Sequence, residues 1–376
     1  MKHSKLYFLF ICVLAYCSIN AQVENKTLIH DGNDREYIVY TPSDYDGNEP
    51  LPLLFCFHGF TSNANLLMIY SRFNNLAESE NFIAVYPQGL LFNGSTHWNV
   101  GGFTLGSNVD DVGFVDVLLD DLVSEYNIDE SRVYSTGMSN GGYMSFLLAC
   151  QMSDRITAVA SVTGSMTPQT YDACNPQRIV PVLQVHGDAD GTVPYNGAFW
   201  SKSIDEVISY WSSHNNCDEE ADLYNVNDSN SLDGSTVEQF VYDQGSNCTS
   251  VIHFKVNGGD HDWPGAWGNM DINATNEVWN FLSQYDMNGL IGCTTSVENE
   301  ISNLNVYIVY PNPSDDVISI NMERIKSTSF QFVDYNGKVV KSGIIDALNN
   351  QISIEELNSG LYYLLLDNRA LEVVKL

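Results

Sequence analysis

Ser139 stands at the centre of Gly137-Met138-Ser139-Asn140-Gly141. A serine hydroxyl is a weak nucleophile at neutral pH and needs a base to take its proton. The five-residue pattern occurs by chance, so its context decides. Residues 132–136 read as a strand and 142–150 as a helix, and a sharp strand-to-helix turn holds a nucleophile at strained dihedrals while glycines let the two backbones nearly touch. In that arrangement the acid and then the base follow the serine along the chain. His186, His214, His253 and His261 lie downstream. His261 is the candidate base, because Gly258-Gly259-Asp260-His261-Asp262-Trp263-Pro264-Gly265 forms a tight loop between a strand and the last helix. His253 lies inside that strand and reads as structural. The strand 182–185 is followed by His186-Gly187-Asp188-Ala189-Asp190, where Asp190 is the candidate acid and Asp188 braces the turn. Too few further oxygen ligands stand nearby for the two aspartates to build a calcium site. The oxyanion needs two N–H donors: Asn140 supplies one, and the loop Phe57-His58-Gly59-Phe60-Thr61 the other, from Phe60 or alternatively Thr61. His58 reads as a brace for that loop. The chemistry is two-step acyl transfer, which requires no metal and no organic cofactor.

These side chains need elements to hold them. From about residue 28 to 290, short β-rich runs alternate with helical patterns, the signature of βαβ units in a mostly parallel sheet. Residues 51–57 are continuously apolar, as in a strand buried on both faces, and 82–87, 132–136 and 180–185 read alike. Val112, Val115, Leu118, Leu119 and Leu122 recur at helical spacing, with Asn108 or Asp110 as cap. Two further apolar stripes run through Ile204, Val207, Ile208 and Trp211, and through Val278, Phe281, Leu282 and Tyr285. With the elbow, this predicts an α/β chain of the α/β-hydrolase fold, helices covering both faces of the sheet. At 288–296 a polar, glycine-bearing stretch reads as a linker. Beyond it short strands at 317–320, 329–333, 338–340 and 361–366, with turns at Asn336-Gly337 and Ser359-Gly360, predict a small C-terminal β-sandwich. The expected domains are a signal peptide (1–21), a catalytic domain (22–288), a linker (289–302) and the sandwich (303–376).

Residues 1–21 combine a basic start with a short apolar run and a small residue at the cut, so export with Gln22 at the mature N-terminus is expected. The run is shorter than the roughly 20 residues of a spanning helix, and no later stretch is long and apolar enough to cross a bilayer. Sixteen Lys+Arg against 47 Asp+Glu give −31, a surface that repels nucleic acid and anionic lipid. Export makes disulfides plausible. Cys150 is expected to pair with Cys174 and Cys217 with Cys248, leaving Cys56 as a buried thiol, and no Cys-x-x-Cys spacing suggests zinc. Trp98, Trp263, Trp267 and Phe60 are candidates to line an acyl or aromatic pocket, and equally candidates for core packing.

Over residues 28–285 the chain resembles the extracellular polyhydroxybutyrate depolymerase and feruloyl esterase-like hydrolases, close to carbohydrate esterase family 1. The resemblance rests on His58-Gly59, Tyr86-Pro87-Gln88-Gly89, His97-Trp98-Asn99, Asp110-Asp111-Val112-Gly113-Phe114, the elbow, His186-Gly187 with Asp190 and Val193-Pro194-Tyr195, and His261 with Trp263-Pro264-Gly265. It implies a Ser139–His261–Asp190 triad. It implies feruloyl, acetyl or polyhydroxybutyrate-type esters as substrates, polymeric or linked to polysaccharide. Where that family has a triple glycine before the histidine, this chain has Gly258-Gly259-Asp260. Pro311-Asn312-Pro313, Ser359-Gly360-Leu361-Tyr362 and the terminal Val373-Val374-Lys375-Leu376 are similar to the sorting domains of the Bacteroidetes type IX secretion system. That implies passage through the periplasm and outer membrane by that machinery. The rival readings are an exported binding protein that keeps the fold without turnover, and a peptidase or thioesterase on the same triad.

Overall fold

The computed structural model describes residues 22–293, 309–320, 328–334, 337–345, 350–366 and 369–376. The expected signal peptide, linker residues 294–302 and Asn336 of the tail hairpin lie outside the described residues. The chain forms two compact units, Met1–Thr295 and Ser296–Leu376.

The first unit opens with the hairpin β1 (Gln22–His30) and β2 (Asn33–Thr41), then β3 (Leu51–Phe57), α1 (Ala64–Ser71) and α2 (Phe73–Glu80). There follow β4 (Ile83–Pro87), the short pair β5 (Leu91–Phe92) and β6 (Ser95–Thr96), and α3 (Asp111–Glu125). The centre of the fold is β7 (Ile128–Met138), α4 (Asn140–Gln151), β8 (Ala158–Val162), α5 (Pro168–Ala173) and β9 (Val182–Gly187). The unit closes with α6 (Ile204–His214), β10 (Asp222–Asn225), β11 (Thr236–Tyr242), β12 (Val251–Asn257), α7 (Ala274–Leu282), β13 (Tyr285–Asp286) and β14 (Gly289–Leu290).

Ten strands make one sheet in the order β1-β2-β4-β3-β7-β8-β9-β12-β11-β10. The six from β4 to β12 are parallel, and the hairpin strands at either end are antiparallel. Strand alternation sorts the side chains into two cores. Leu53, Phe55 and Phe57 of β3 join α3, α4 and α6 on one face. Leu54 and Cys56 join α1, α2 and α7 on the other. This is why residues 51–57 carry no polar side chain. Asp110 caps α3 by accepting from the Gly113 N–H, and Ser203 with Glu206 forms a capping box on α6.

Cys150 is bonded to Cys174, with 4.8 Å between their Cα atoms, and Cys56 is a buried thiol. The expected Cys217–Cys248 pair is not formed. Cys248 is bonded to Cys293, and Cys217 is a part-buried free thiol against the Thr249 carbonyl. The cause lies in the stretch read as linker from 289. It returns as the β13–β14 hairpin so close to the 246–248 turn that a methyl on Gly289 would sit 2.4 Å from the Asn247 oxygen, and this delivers Cys293.

The second unit contains β15 (Val309–Tyr310), β16 (Val317–Ile320), β17 (Thr328–Asp334), β18 (Val339–Ile345), β19 (Gln351–Ser353), β20 (Gly360–Leu366) and β21 (Arg369–Lys375). They form antiparallel sheets β15-β16-β19 and β18-β17-β20-β21 around Ile318, Ile320, Phe332, Ile352, Leu364, Leu366 and Val373. Two sheets on one apolar core make a small β-sandwich. No described helix is long and apolar enough to cross a membrane.

Candidate active site

Ser139 is the single residue between β7 and α4. Its φ of 56° and ψ of −121° are strained for a residue with a Cβ, and its N–H is anchored on the Val162 carbonyl at 2.8 Å. The strain is imposed by crowding. A methyl on Gly137 would meet the Phe57 oxygen at 2.6 Å, and one on Gly141 would meet it at 1.9 Å. Only glycine lets β3, β7 and α4 approach so closely.

Asp190 and His261, 71 residues apart, meet in the loops after β9 and β12. The Asp190 Oδ2 lies 2.7 Å from His261 Nδ1. The other carboxylate oxygen accepts the Thr192 and Val193 amides, both at 2.8 Å. Nδ1 is therefore the protonated nitrogen, and Nε2 is free to accept. Burial pushes the Asp190 carboxyl up. The bond to His261, that ring's charge, the Val193 amide and nearby His186 outweigh it and hold the group below its ordinary value. The Asp190 side chain is fully buried, whereas His261 keeps 19% of its side chain exposed.

The two loops are sewn together. The Asp188 carboxylate accepts the Gly258 amide at 2.7 Å, and Ala189 donates to the Gly259 carbonyl at 3.0 Å. Asp188 thus braces the turn, as its place in the sequence suggests. Asp260, standing where a third glycine is usual, accepts the His261 and Gly191 amides at 2.9 and 3.2 Å. The buried His186 places Nε2 2.9 Å from the Val193 carbonyl and 3.4 Å from Asp190 Oδ2, and burial lowers its pKa to about 4.

Two amide donors stand beside Ser139. Asn140, the first residue of α4, has an N–H without an intrahelical partner. On the facing loop a methyl on Gly59 would lie 3.5 Å from Ser139 Cβ, and Phe60 is the next residue of that loop. Thr61, the alternative donor, is spent: its N–H bonds the Thr96 carbonyl at 2.9 Å. Among the described residues the Phe60 N–H has no such partner. His58 holds the loop, with Nδ1 donating to the Gly59 carbonyl at 2.8 Å and Nε2 accepting from the Gly89 N–H at 3.0 Å. Burial lowers its pKa to about 4, so it stays neutral.

Trp98 and Trp263, candidates for a substrate pocket or for core packing, line no cleft: both are buried. The Trp98 indole donates to the His58 carbonyl at 2.8 Å, and its backbone is clamped by the Asn140 side chain at 2.7 and 3.0 Å. The Trp263 indole donates to Thr275 Oγ1 at 3.0 Å and packs edge-to-face on Phe73. With each indole N–H satisfied inside the protein, both rings serve as core. The sequence reading also missed Arg35. Its guanidinium pairs with buried Asp111 at 2.6 Å, and that carboxylate accepts the Asn99 amide at 2.7 Å, fixing the Trp98 loop from behind. The Asp110-Asp111-Val112-Gly113 signal was visible, but its partner 76 residues upstream was not. No group of three or more His, Cys, Asp or Glu among the described residues gathers to hold a metal ion.

A mixed sheet with helices on both faces and a serine at the β7–α4 elbow defines the class: this is the α/β-hydrolase fold. Residues 31–247 match the family described as "Putative esterase", and the chain belongs to that family. Residues 308–376 match the "Secretion system C-terminal sorting domain", which marks the chain for secretion to the cell surface or extracellular space. The bifunctional acetylxylan esterase/xylanase of Neocallimastix patriciarum is 27% identical over 263 residues, 70% of this chain and 35% of that protein. Feruloyl esterase B of Piromyces equi is 27% identical over 67% of this chain and 46% of its own length. Feruloyl esterase D of Neurospora crassa is 29% identical over 68% of this chain and 84% of its own. The chain thus spans less than half of the first two. An acetyl xylan esterase from Aspergillus awamori shares the fold, with a TM-score of 0.52 at 15% identity over 70% of this chain and 99% of that one.

Proposed function

We propose that this chain is an exported serine carboxylic-ester hydrolase acting on feruloyl or acetyl esters of plant polysaccharide. The observation that carries the reading is the 2.7 Å bond from His261 Nδ1 to Asp190, which leaves Nε2 unprotonated in loops that follow β9 and β12, at the same edge of the parallel sheet as the elbow after β7. Ser139 Oγ attacks the ester carbonyl while Nε2 of His261 takes its proton, and the Phe60 and Asn140 amides hold the oxyanion. His261 then returns the proton to the departing alcohol, leaving an acyl-enzyme. Water, activated by the same nitrogen, releases the acid and restores Ser139. The relatives bearing feruloyl and acetylxylan esterase names support the substrate class, and the sorting tail supports export by the type IX route through the periplasm.

Ser139→Ala should leave the fold intact and abolish release of ferulate and acetate from wheat-bran xylan. Retained turnover in that variant sinks the assignment. Clearing of a polyhydroxybutyrate film by a wild-type chain inert on xylan esters would move the substrate to polyesters.

A further inference from the structure

With Trp98 and Trp263 in the core, the exposed aromatic surface near the elbow is made by Phe60, already a candidate from the sequence, together with Phe103 and Trp200, which the sequence did not single out. Phe60 meets Phe103 edge-to-face, ring centroids 6.1 Å apart at 89°. Phe103 in turn meets Tyr143 and Trp200, each at 5.3 Å and at 76° and 83°. Phe60 adjoins the loop facing Ser139, and the Tyr143 N–H donates to the Ser139 carbonyl at 3.0 Å, one turn into α4. The cluster therefore rests on the two segments that carry the amide donors. It is also open: Phe60 is 38% exposed and Phe199, beside half-buried Trp200, is 95% exposed. Its geometry is built in. Gly102 has φ of 54°, a methyl there would lie 2.5 Å from the Trp200 carbonyl oxygen, and its N–H donates to Gln169 Oε1 at 2.8 Å.

We propose that Phe60, Phe103 and Trp200 form the acyl wall of the site and select an aromatic, hydroxycinnamoyl-type acyl group over acetyl. The inference rests on the ester-hydrolase reading above. Three substituents of the reacting carbon have three places to go. The oxyanion lies between the Phe60 and Asn140 amides. The alcohol oxygen must face His261 to be protonated, which puts the alcohol on the side of the β12–α7 loop. The acyl group is left for the side where Phe60 and Tyr143 carry the aromatic wall. A planar ring gains edge-to-face contacts with a wall of this kind, and an acetyl methyl reaches none of them.

Matched 4-nitrophenyl ferulate and 4-nitrophenyl acetate test this, since the leaving group is the same. In Trp200→Ala and in Phe103→Leu, which keeps apolar bulk without a ring, the ferulate-to-acetate ratio of kcat/KM should fall at least about tenfold. Trp200→Phe should restore most of it. Thermal melts identify any variant that fails to fold, and the remaining variants decide. A ratio unchanged in folded variants, with both esters falling in parallel or neither falling, overturns the acyl wall while leaving the hydrolase reading standing. A wild-type chain that turns over neither ester overturns both.

Discussion

At the scale of single residues, Asp190 decides where the proton on His261 sits. An amide in its place accepts on one atom and donates on the other, so Asp190→Asn lets the imidazole take the wrong tautomer. That variant should lose about 10⁴-fold in kcat with little change in KM, by steady-state kinetics on a 4-nitrophenyl ester. Ser139, Asp190 and His261 were legible as candidates because each sits in a backbone signature: a glycine-flanked elbow, a turn after a strand, a glycine-rich loop. For Trp98 and Trp263 the sequence left pocket and core equally open, for the opposite reason. Whether a tryptophan faces substrate or core depends on partners such as His58 and Thr275, which lie 40 and 12 residues away. Phe103 and Trp200 carry no local signal at all, and only the fold brings them together.

At the scale of elements, the crossing of β3 with α4 is the tightest constraint on the site. A Cβ at Gly141 overlaps the Phe57 carbonyl and cannot be relieved by rotating a side chain, so Gly141→Ala should cost more than about 3 kcal/mol, seen as a collapse in Tm or loss of soluble protein. Helix α7 offers a test of opposite sign. Burial pushes part-buried Glu277 up to about 7 from an ordinary 4.5, and its carboxylate has no partner among the described residues. The folded state therefore holds this proton more tightly than the unfolded state, and stability is lost as pH rises through the folded value. Glu277→Gln should raise Tm by a few degrees at pH 8, about 1–2 kcal/mol, and change little at pH 4.5. A gain of equal size at both pH values would contradict it. The apolar stripes of α3, α6 and α7 and the strands β3, β4, β7 and β9 were readable from their pattern, and of the two cap candidates Asn108 and Asp110 the structure uses Asp110; α1, α2, α5 and β8 were not singled out. The short β13–β14 hairpin was not, because two-residue strands carry no pattern, and the disulfide pairing was misassigned with it.

At the scale of the whole molecule, the two units have separate cores, with no apolar cluster in common among the described residues. A chain ended after Thr295 should keep wild-type kcat/KM on a 4-nitrophenyl ester while accumulating inside the cell, measured by activity in culture supernatant against lysate. Loss of turnover in the truncated chain would show that the tail takes part in catalysis. The change of pattern near 289 reads as the start of a linker, and the stretch up to Cys293 belongs to the first unit.

That ending has a mechanical consequence. Any pull on the chain leaving the first unit, whether from transport or from a protease gripping the tail, passes through Cys293 before it can reach β14. There the covalent bond to Cys248 carries the load into the β11–β12 region, and the few hydrogen bonds of the small hairpin are spared. The bond behaves as a strain relief at the point where a cord leaves its housing: the tail can be tugged or trimmed without unpicking the first unit from its end.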